Sequence, residues 1–390
     1  MRSSPAVAAL LLALALPAAA QVPPSPPPVP SAPGMLLTAL PAPRALALPH
    51  AQALQHAQAL PLPPVPAWRS ALEARIPGIA AAHPGELSLY VQDVVTGEAY
   101  GHGAEVPTYL SSTIKLVVAL EVLRQVDAGT LALQQRLTFR ESDVRDGVGP
   151  LGPGAIGRAL SVAQLLELML VHSDNAAADR LIDLVGTQWL QAHLDERGVR
   201  FGPLQSLLAE RQQLYAQLHP RGASLDGAQL RALGRHGSLT ERARAFAQSL
   251  GTPGRFRGSD LVRAFESFYA TRVNSAPLRE LGALLAQAAR CERLSPHSCE
   301  QLHALMRACR TGAGRIRAGL PAAVPWAHKT GTQYQRACDV GFLLLAPGRP
   351  VVVAACARDF DRVREVEAAF AAVGAAVWEA FAAPAPVAAQ

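Results

Sequence analysis

Residues 325–357 read PWAHKTGTQYQRACDVGFLLLAPGRPVVVAACA. Three apolar runs, Pro325–Gly331, Asp339–Leu345 and Val351–Ala357, are separated by short polar turns. Pro347-Gly348-Arg349-Pro350 between the last two is a hairpin signal. Strands so closely spaced pair antiparallel, because a parallel pair needs a long crossover. A final helix is predicted over Arg362–Phe381. Far upstream, Leu87–Asp93 alternates apolar and polar residues as a half-buried strand does, Thr96-Gly97 turns, and Glu98–Gly101 returns. A short helix, Trp68–Ile76, precedes these strands and stops at Pro77-Gly78. Between the strand groups the periodicity is helical, at Ser112–Val126, Ser161–Val171 and Asn175–Val185. A helix-rich stretch with arginine-laden faces follows over about 200–310. Two strands, a helical block, then three strands and a helix is not βαβ alternation. The order predicts an α/β protein of the α+β kind. A five-stranded antiparallel sheet is built from both chain ends and flanked by N- and C-terminal helices, with an all-helical subdomain inserted over about 112–315.

The chain has 390 residues, half of them hydrophobic and 17% charged, enough to bury a large core and to exclude wholesale disorder. Its net charge of +6 is spread out, with no run of five basic residues and only 5% aromatics, which argues against a nucleic-acid partner. Of 36 basic residues only Lys115 and Lys329 are lysines, and only Asn175 and Asn274 are asparagines. In a chain that otherwise writes its cations as arginine, the surviving lysines mark positions where a group that can lose a proton is needed.

Residues 1–20 have the pattern of an export signal. Arg2 is followed by the apolar run Ala6–Leu16, too short to span a bilayer, and by Pro17 and Ala18-Ala19-Ala20 before Gln21. Residues 21–66 hold 14 of the 32 prolines and form a linker. The folded domain, 67–390, is expected to start near Ala67 and to be a soluble monomer in the periplasm or outside the cell, without stable membrane insertion. Such a compartment is oxidising. The five cysteines, an odd number, leave at least one free or paired outside the chain. Cys291 and Cys299 flank a turn at Ser295-Pro296, which predicts that they pair, with Cys291–Cys309 the second choice. Neither CxxC nor HExxH occurs, and no metal or cofactor is expected.

Three short motifs carry chemistry. In Ser112-Thr113-Ile114-Lys115, residues three apart on a helix bring a hydroxyl and an amine together. A buried lysine near other cations loses its proton readily and can activate the alcohol. Ser173-Asp174-Asn175 offers a hydroxyl, a carboxylate and an amide in a row, although the same residue types also cap helices. Lys329-Thr330-Gly331-Thr332 places a cation and two hydroxyls on a strand, with a glycine that lets another backbone approach. Both lysines and one of the two asparagines fall inside these motifs.

In order and spacing the three resemble the S-x-x-K, S-D-N and K-T-G set of the serine β-lactamases and penicillin-binding proteins, class A β-lactamases above all. The stretch Thr311-Gly-Ala-Gly-Arg-Ile-Arg-Ala-Gly-Leu-Pro321 resembles the one before K-T-G in that class. The resemblance covers about 67–205 and 270–382. It implies that Ser112 is the acylated nucleophile and Lys115 its base. Ser173 would pass a proton to the leaving nitrogen, and Asn175 would hold a substrate amide. Lys329, Thr330, Gly331 and Thr332 would bind the substrate carboxylate with Arg317 in support. The backbone N–H groups of Ser112 and Thr332 would form an oxyanion hole. The implied reaction is opening of a β-lactam through an acyl-enzyme. The alternatives are a penicillin-binding or D-alanyl-D-alanine peptidase activity with slow deacylation, or an idle binder of wall peptides.

One departure stands out. Class A enzymes carry Glu-x-x-Leu-Asn after S-D-N, and this chain does not. Glu210 lies at about the right distance, within the helical-looking Leu208-Ala-Glu-Arg-Gln-Gln-Leu-Tyr215. The region is enlarged near 205–270. Glu210, Asp226, Glu241, Asp260 and Glu266 are its candidate bases for deacylation. His172 and His328, each beside a motif, are read as lining or core.

Overall fold

The computed structural model describes residues 65–382 apart from Pro347, so the leader and nearly all of the proline-rich segment lie outside the described residues. Helix α1 spans Ala67–Ala82. Strands β1 (Glu86–Asp93), β2 (Ala99–His102) and the short β3 (Thr108–Tyr109) follow, then helix α2 (Lys115–Asp127). A ribbon of β4 (Arg136–Thr138) and β5 (Ala159–Ser161) precedes α3 (Val162–Val171), α4 (Asn175–Val185) and α5 (Thr187–Glu196). The enlarged region holds α6 (Leu207–Ala216), α7 (Gly227–Gly234), α8 (Leu239–Ser249) and α9 (Gly258–Ala270). After β6 (Ser275–Ala276) come α10 (Leu278–Ala289), α11 (Pro296–Arg307), β7 (Trp326–Gln333), β8 (Arg336–Ala346), β9 (Arg349–Arg358) and α12 (Val363–Ala382).

The main sheet runs β2-β1-β9-β8-β7, antiparallel throughout. Side chains alternate across a strand, so β9 divides its apolar residues between two cores. Val351, Val353, Ala355 and Ala357 face α1 and α12, whereas Val352, Ala354 and Cys356 face the helical block. Both faces are covered, and each fully buried Leu or Phe contributes about 1.5–3 kcal/mol. The strand β7, at one edge of the sheet, carries Lys329.

Helix α1 does not stop at Pro77-Gly78 but continues to Ala82. Ile79 and Ala80 pack on the α12 side of the sheet, and that burial outweighs the amide bond lost at Pro77. The predicted helix at Ser112 opens differently as well. Ser111–Ile114 is a 3₁₀ turn, and the α-helix begins at Lys115. Cys291 and Cys299 are joined, with Cα atoms 5.4 Å apart, which excludes Cys291–Cys309. A second disulfide, Cys338–Cys356, links facing residues of β8 and β9 and leaves Cys309 free. Among the described residues no helix is long and apolar enough to cross a membrane.

The enlarged region forms its own small core. Leu214, Tyr215, Phe246, Leu261, Phe265 and Phe268 form one cluster with Tyr109. This lobe forms one wall of the cavity described next.

Candidate active site

A cavity of about 380 Å³ opens between the sheet edge and the helices, lined by Ser112, Ser173, Asn175, Glu210, Thr330 and Thr332 among others. Ser112 lies on the 3₁₀ turn, and Ser111 just before it holds φ at 52°, a left-handed conformation that costs a side-chain-bearing residue about 1–3 kcal/mol. Strand β7 fixes that turn. A Cβ added at Gly331 would lie 2.6 Å from the Leu110 carbonyl oxygen and 3.1 Å from the Ser112 nitrogen. Glycine at 331 is therefore needed for close packing against the Ser112 turn. It is not among the residues that line the cavity, and neither are Lys115 and Lys329, which reach it through Ser173.

Lys115 is fully buried at the start of α2. Its Nζ donates to the Ser173 carbonyl at 2.6 Å, to Asn175 Oδ1 at 2.8 Å and to Ser173 Oγ at 3.3 Å. Burial, then the charge of Lys329, holds its ammonium well below the usual lysine range. Lys329 is buried too, and its Nζ donates to the same Ser173 Oγ at 2.9 Å. Burial is the main cause that lowers it to about 8. One hydroxyl thus stands between two amines of depressed basicity, a short path for a proton. Ser173 is held there with φ at 58°. Its neighbour Asp174 faces away from this chemistry: it caps α4 by accepting from the Ala177 N–H and takes the Leu151 N–H on its other oxygen.

Glu210 is 1% exposed, in the first turn of α6, and is one of the residues that line the cavity. The Tyr109 hydroxyl lies 3.0 and 2.9 Å from its two oxygens, and Asn274 Nδ2 donates at 2.5 Å. Burial pushes its carboxyl up, against the opposing pull of Arg211, Asn274 and Tyr109. The α6 N-terminus is fixed by Asp179 on α4, which accepts from the Leu207 and Leu208 N–H groups at 2.7 and 2.9 Å and pairs with Arg145. Asn274 braces the same segment through Gln205, which it meets in both directions at 2.9 and 3.1 Å. None of the other four candidate carboxylates lines the cavity. Asp226, Glu241 and Asp260 belong to the N-terminal caps of α7, α8 and α9, and Glu266 pairs with Arg336.

On the opposite wall, Thr330 Oγ1 bonds Thr311 Oγ1 at 2.5 Å. Arg317 does not reach this wall. Its guanidinium is spent on the carbonyls of Leu320, Pro321 and Val324. Arg315, two residues earlier, takes the place expected of it, donating to Thr332 Oγ1 at 2.6 Å and to the Gly331 carbonyl at 3.0 Å. Sequence reading missed Tyr109, Asp179, Asn274 and Arg315. Only Asn274 carried a signal, as the second of two asparagines. His172 lines no part of this cavity, and His328 borders a different one.

The sequence model of the beta-lactamase enzyme family matches residues 71–381. A β-lactamase of Streptomyces fradiae is 27% identical over 295 residues, 74% of this chain and 79% of the relative. The extended-spectrum β-lactamase PER-1 of Pseudomonas aeruginosa is 26% identical over 263 residues, 64% and 67% of the two chains. Among solved structures, a β-lactamase from Xanthomonas campestris superposes with a TM-score of 0.61 at 25% identity, covering 81% of this chain and all of the other.

Proposed function

The chain belongs to the beta-lactamase enzyme family as a serine hydrolase of that type, and from that premise we propose that it opens β-lactams through a Ser112 acyl-enzyme which Glu210 then helps water to cleave. Ser112 Oγ attacks the lactam carbonyl and gives its proton to Lys115, which burial keeps ready to accept one. The Ser112 and Thr332 backbone N–H groups hold the oxyanion. Ser173, bonded to both amines, hands a proton to the departing nitrogen. The substrate carboxylate lies against Lys329, Thr330 and Thr332, with Arg315 orienting the Thr332 hydroxyl. Asn175 receives the side-chain amide.

Deacylation needs a carboxylate that can hold and deprotonate a water. The observation that carries this reading is that Glu210, despite the missing loop motif, lines the cavity of Ser112 with Tyr109 and Asn274 locking its carboxylate. An idle binder gains nothing from burying that carboxylate at a cost in desolvation.

Export is part of the proposal. Two disulfides fit an oxidising compartment, and the N-terminal pattern fits a cleaved leader. Hydrolysis of a chromogenic cephalosporin by the full chain, with Ser112→Ala as control, tests the reaction. Turnover that vanishes with Ser112→Ala is expected; tight binding without turnover would leave the binder.

A further inference from the structure

A second cavity, of about 520 Å³, borders β7 and is lined by Cys309, His328, Trp326, Arg307 and Arg310. None of these lines the Ser112 cavity. Thr311 lines both.

Cys309 is the one cysteine outside the two disulfides. It does not stand alone. His328 Nδ1 lies 2.7 Å from Asp339 Oδ1, and the other oxygen of this fully buried aspartate accepts the Ile316 N–H at 3.1 Å. With one ring nitrogen so fixed, the imidazole lines the same cavity as the Cys309 thiol, and the two shift each other's titration. Trp326 stacks on the ring at 5.3 Å, and its indole N–H has no partner among the described residues. A thiol beside an imidazole that a carboxylate orients is a grouping that favours a sulfur nucleophile. Burial pushes the thiol up, but His328, Lys329 and Thr311 outweigh it and bring it to about 6. Burial lowers His328, but Asp339 and the thiol raise it to about 9. These shifts favour a thiolate and an imidazolium at neutral pH, and three further cations line the cavity, Arg307, Arg310 and Arg317, of which Arg307 pairs with Glu300.

The sulfur is also wired to the catalytic wall. Cys309 Sγ lies 3.3 Å from Thr311 Oγ1, which bonds Thr330 Oγ1 at 2.5 Å. A group added to the sulfur crowds Thr311 and breaks that bond.

We propose that Cys309 is a modification site: its sulfur, beside the His328–Asp339 pair in an arginine-lined cavity, exchanges with small disulfides that carry carboxylates, and the adduct lowers the activity of Ser112 through Thr311. The thiolate attacks one sulfur of the incoming disulfide. The Cys309 S–S bond forms, the incoming S–S bond breaks, and the departing thiolate leaves with the bonding electrons and takes a proton from His328. The incoming disulfide is itself the oxidant. The cavity volume falls in the range that accepts small ligands. The effect on turnover rests on the hydrolytic reading above; adduct formation does not.

The test incubates the full chain at pH 7 with oxidised glutathione, an anionic disulfide, or with cystamine, a cationic one, and follows intact mass, peptide maps and cephalosporin turnover together. One glutathione on Cys309 is expected, formed about tenfold faster than the cystamine adduct because the cavity is positive. Turnover should fall at least about fivefold in step, since misplacing a binding group is costly. Cys309→Ser should take no adduct and keep its turnover in oxidised glutathione. His328→Gln, checked for folding by its thermal melt, should slow adduct formation about tenfold, as thiolate fraction and lower nucleophilicity partly offset. No adduct at Cys309, or equal rates with both disulfides, overturns the site. An adduct with full turnover overturns the link through Thr311. If the unmodified protein hydrolyses nothing, the mass readout still decides the site and the hydrolytic reading alone fails.

Discussion

The two working walls of the cavity are held in different ways. On the amine wall, Lys115, Ser173 and Lys329 come from the start of a helix, the turn before another and an edge strand, and their side chains bond each other directly. On the carboxylate wall, Glu210 owes its place to residues far away in the chain: Tyr109 beside it, Asn274 across it, and Asp179 under the helix that carries it. The amine wall is buried except where Ser173 meets the cavity. The carboxylate wall leans on the lobe formed by α6 to α9. Damage to the first should stop acylation, whereas damage to the second should stop release.

The largest effect tests that division. Lys115→Arg keeps the charge but cannot accept a proton, so the acylation rate measured by stopped-flow should fall about 10³-fold or more. Loss of no more than tenfold would make Lys115 a mere cation.

Next comes Asn274→Ala. It removes one bond to Glu210 and the brace on Gln205. Deacylation should slow about 10²-fold with acylation little changed, seen as a burst of cephalosporin cleavage followed by a slow phase. A uniform loss in both phases would merge the two walls.

Lys329 gives a smaller effect, read in pH. Burial depresses it to about 8, so it is a cation below that pH and neutral above it. Because kcat/KM reports the free enzyme, it should drop about fivefold between pH 8 and 9. Lys329→Arg should retain part of the activity and lose this limb. A profile unchanged by the substitution would assign the limb elsewhere.

The smallest effect separates two arginines. Arg315→Ala should raise KM about threefold by freeing the Thr332 hydroxyl, while Arg317→Ala, which touches only backbone carbonyls, should leave KM within about twofold. The reverse order would restore Arg317 to the site.

The same contrast governs what the amino-acid sequence reveals. The five-stranded sheet and the amine wall were legible because alternation, hairpin turns and three motifs of three or four residues each act locally. Lys115 and Lys329 also stood out by rarity. The carboxylate wall was not legible, because Tyr109, Asp179 and Asn274 meet Glu210 only after the chain has folded, and Asp and Tyr are common in other roles. Glu210 itself could be proposed by distance from S-D-N but not told from Asp226 or Glu241, which turned out to cap helices. Arg317 was misplaced by two positions, since Arg315 and Arg317 look alike until the 3₁₀ turn at Ile316–Gly319 directs one toward Thr332 and the other toward Val324. Cys338–Cys356 depended on strand register, which spacing alone does not fix.

The role of Glu210 is measured most directly by intact-mass spectrometry of the protein and of Glu210→Gln, minutes after mixing with benzylpenicillin. Deacylation by Glu210 predicts no lasting adduct on the native chain, rapid loss of penicillin, and a stoichiometric acyl adduct on Ser112 in Glu210→Gln. A native chain that holds the adduct for an hour, or a Glu210→Gln variant that clears it as fast as the native chain, would contradict it.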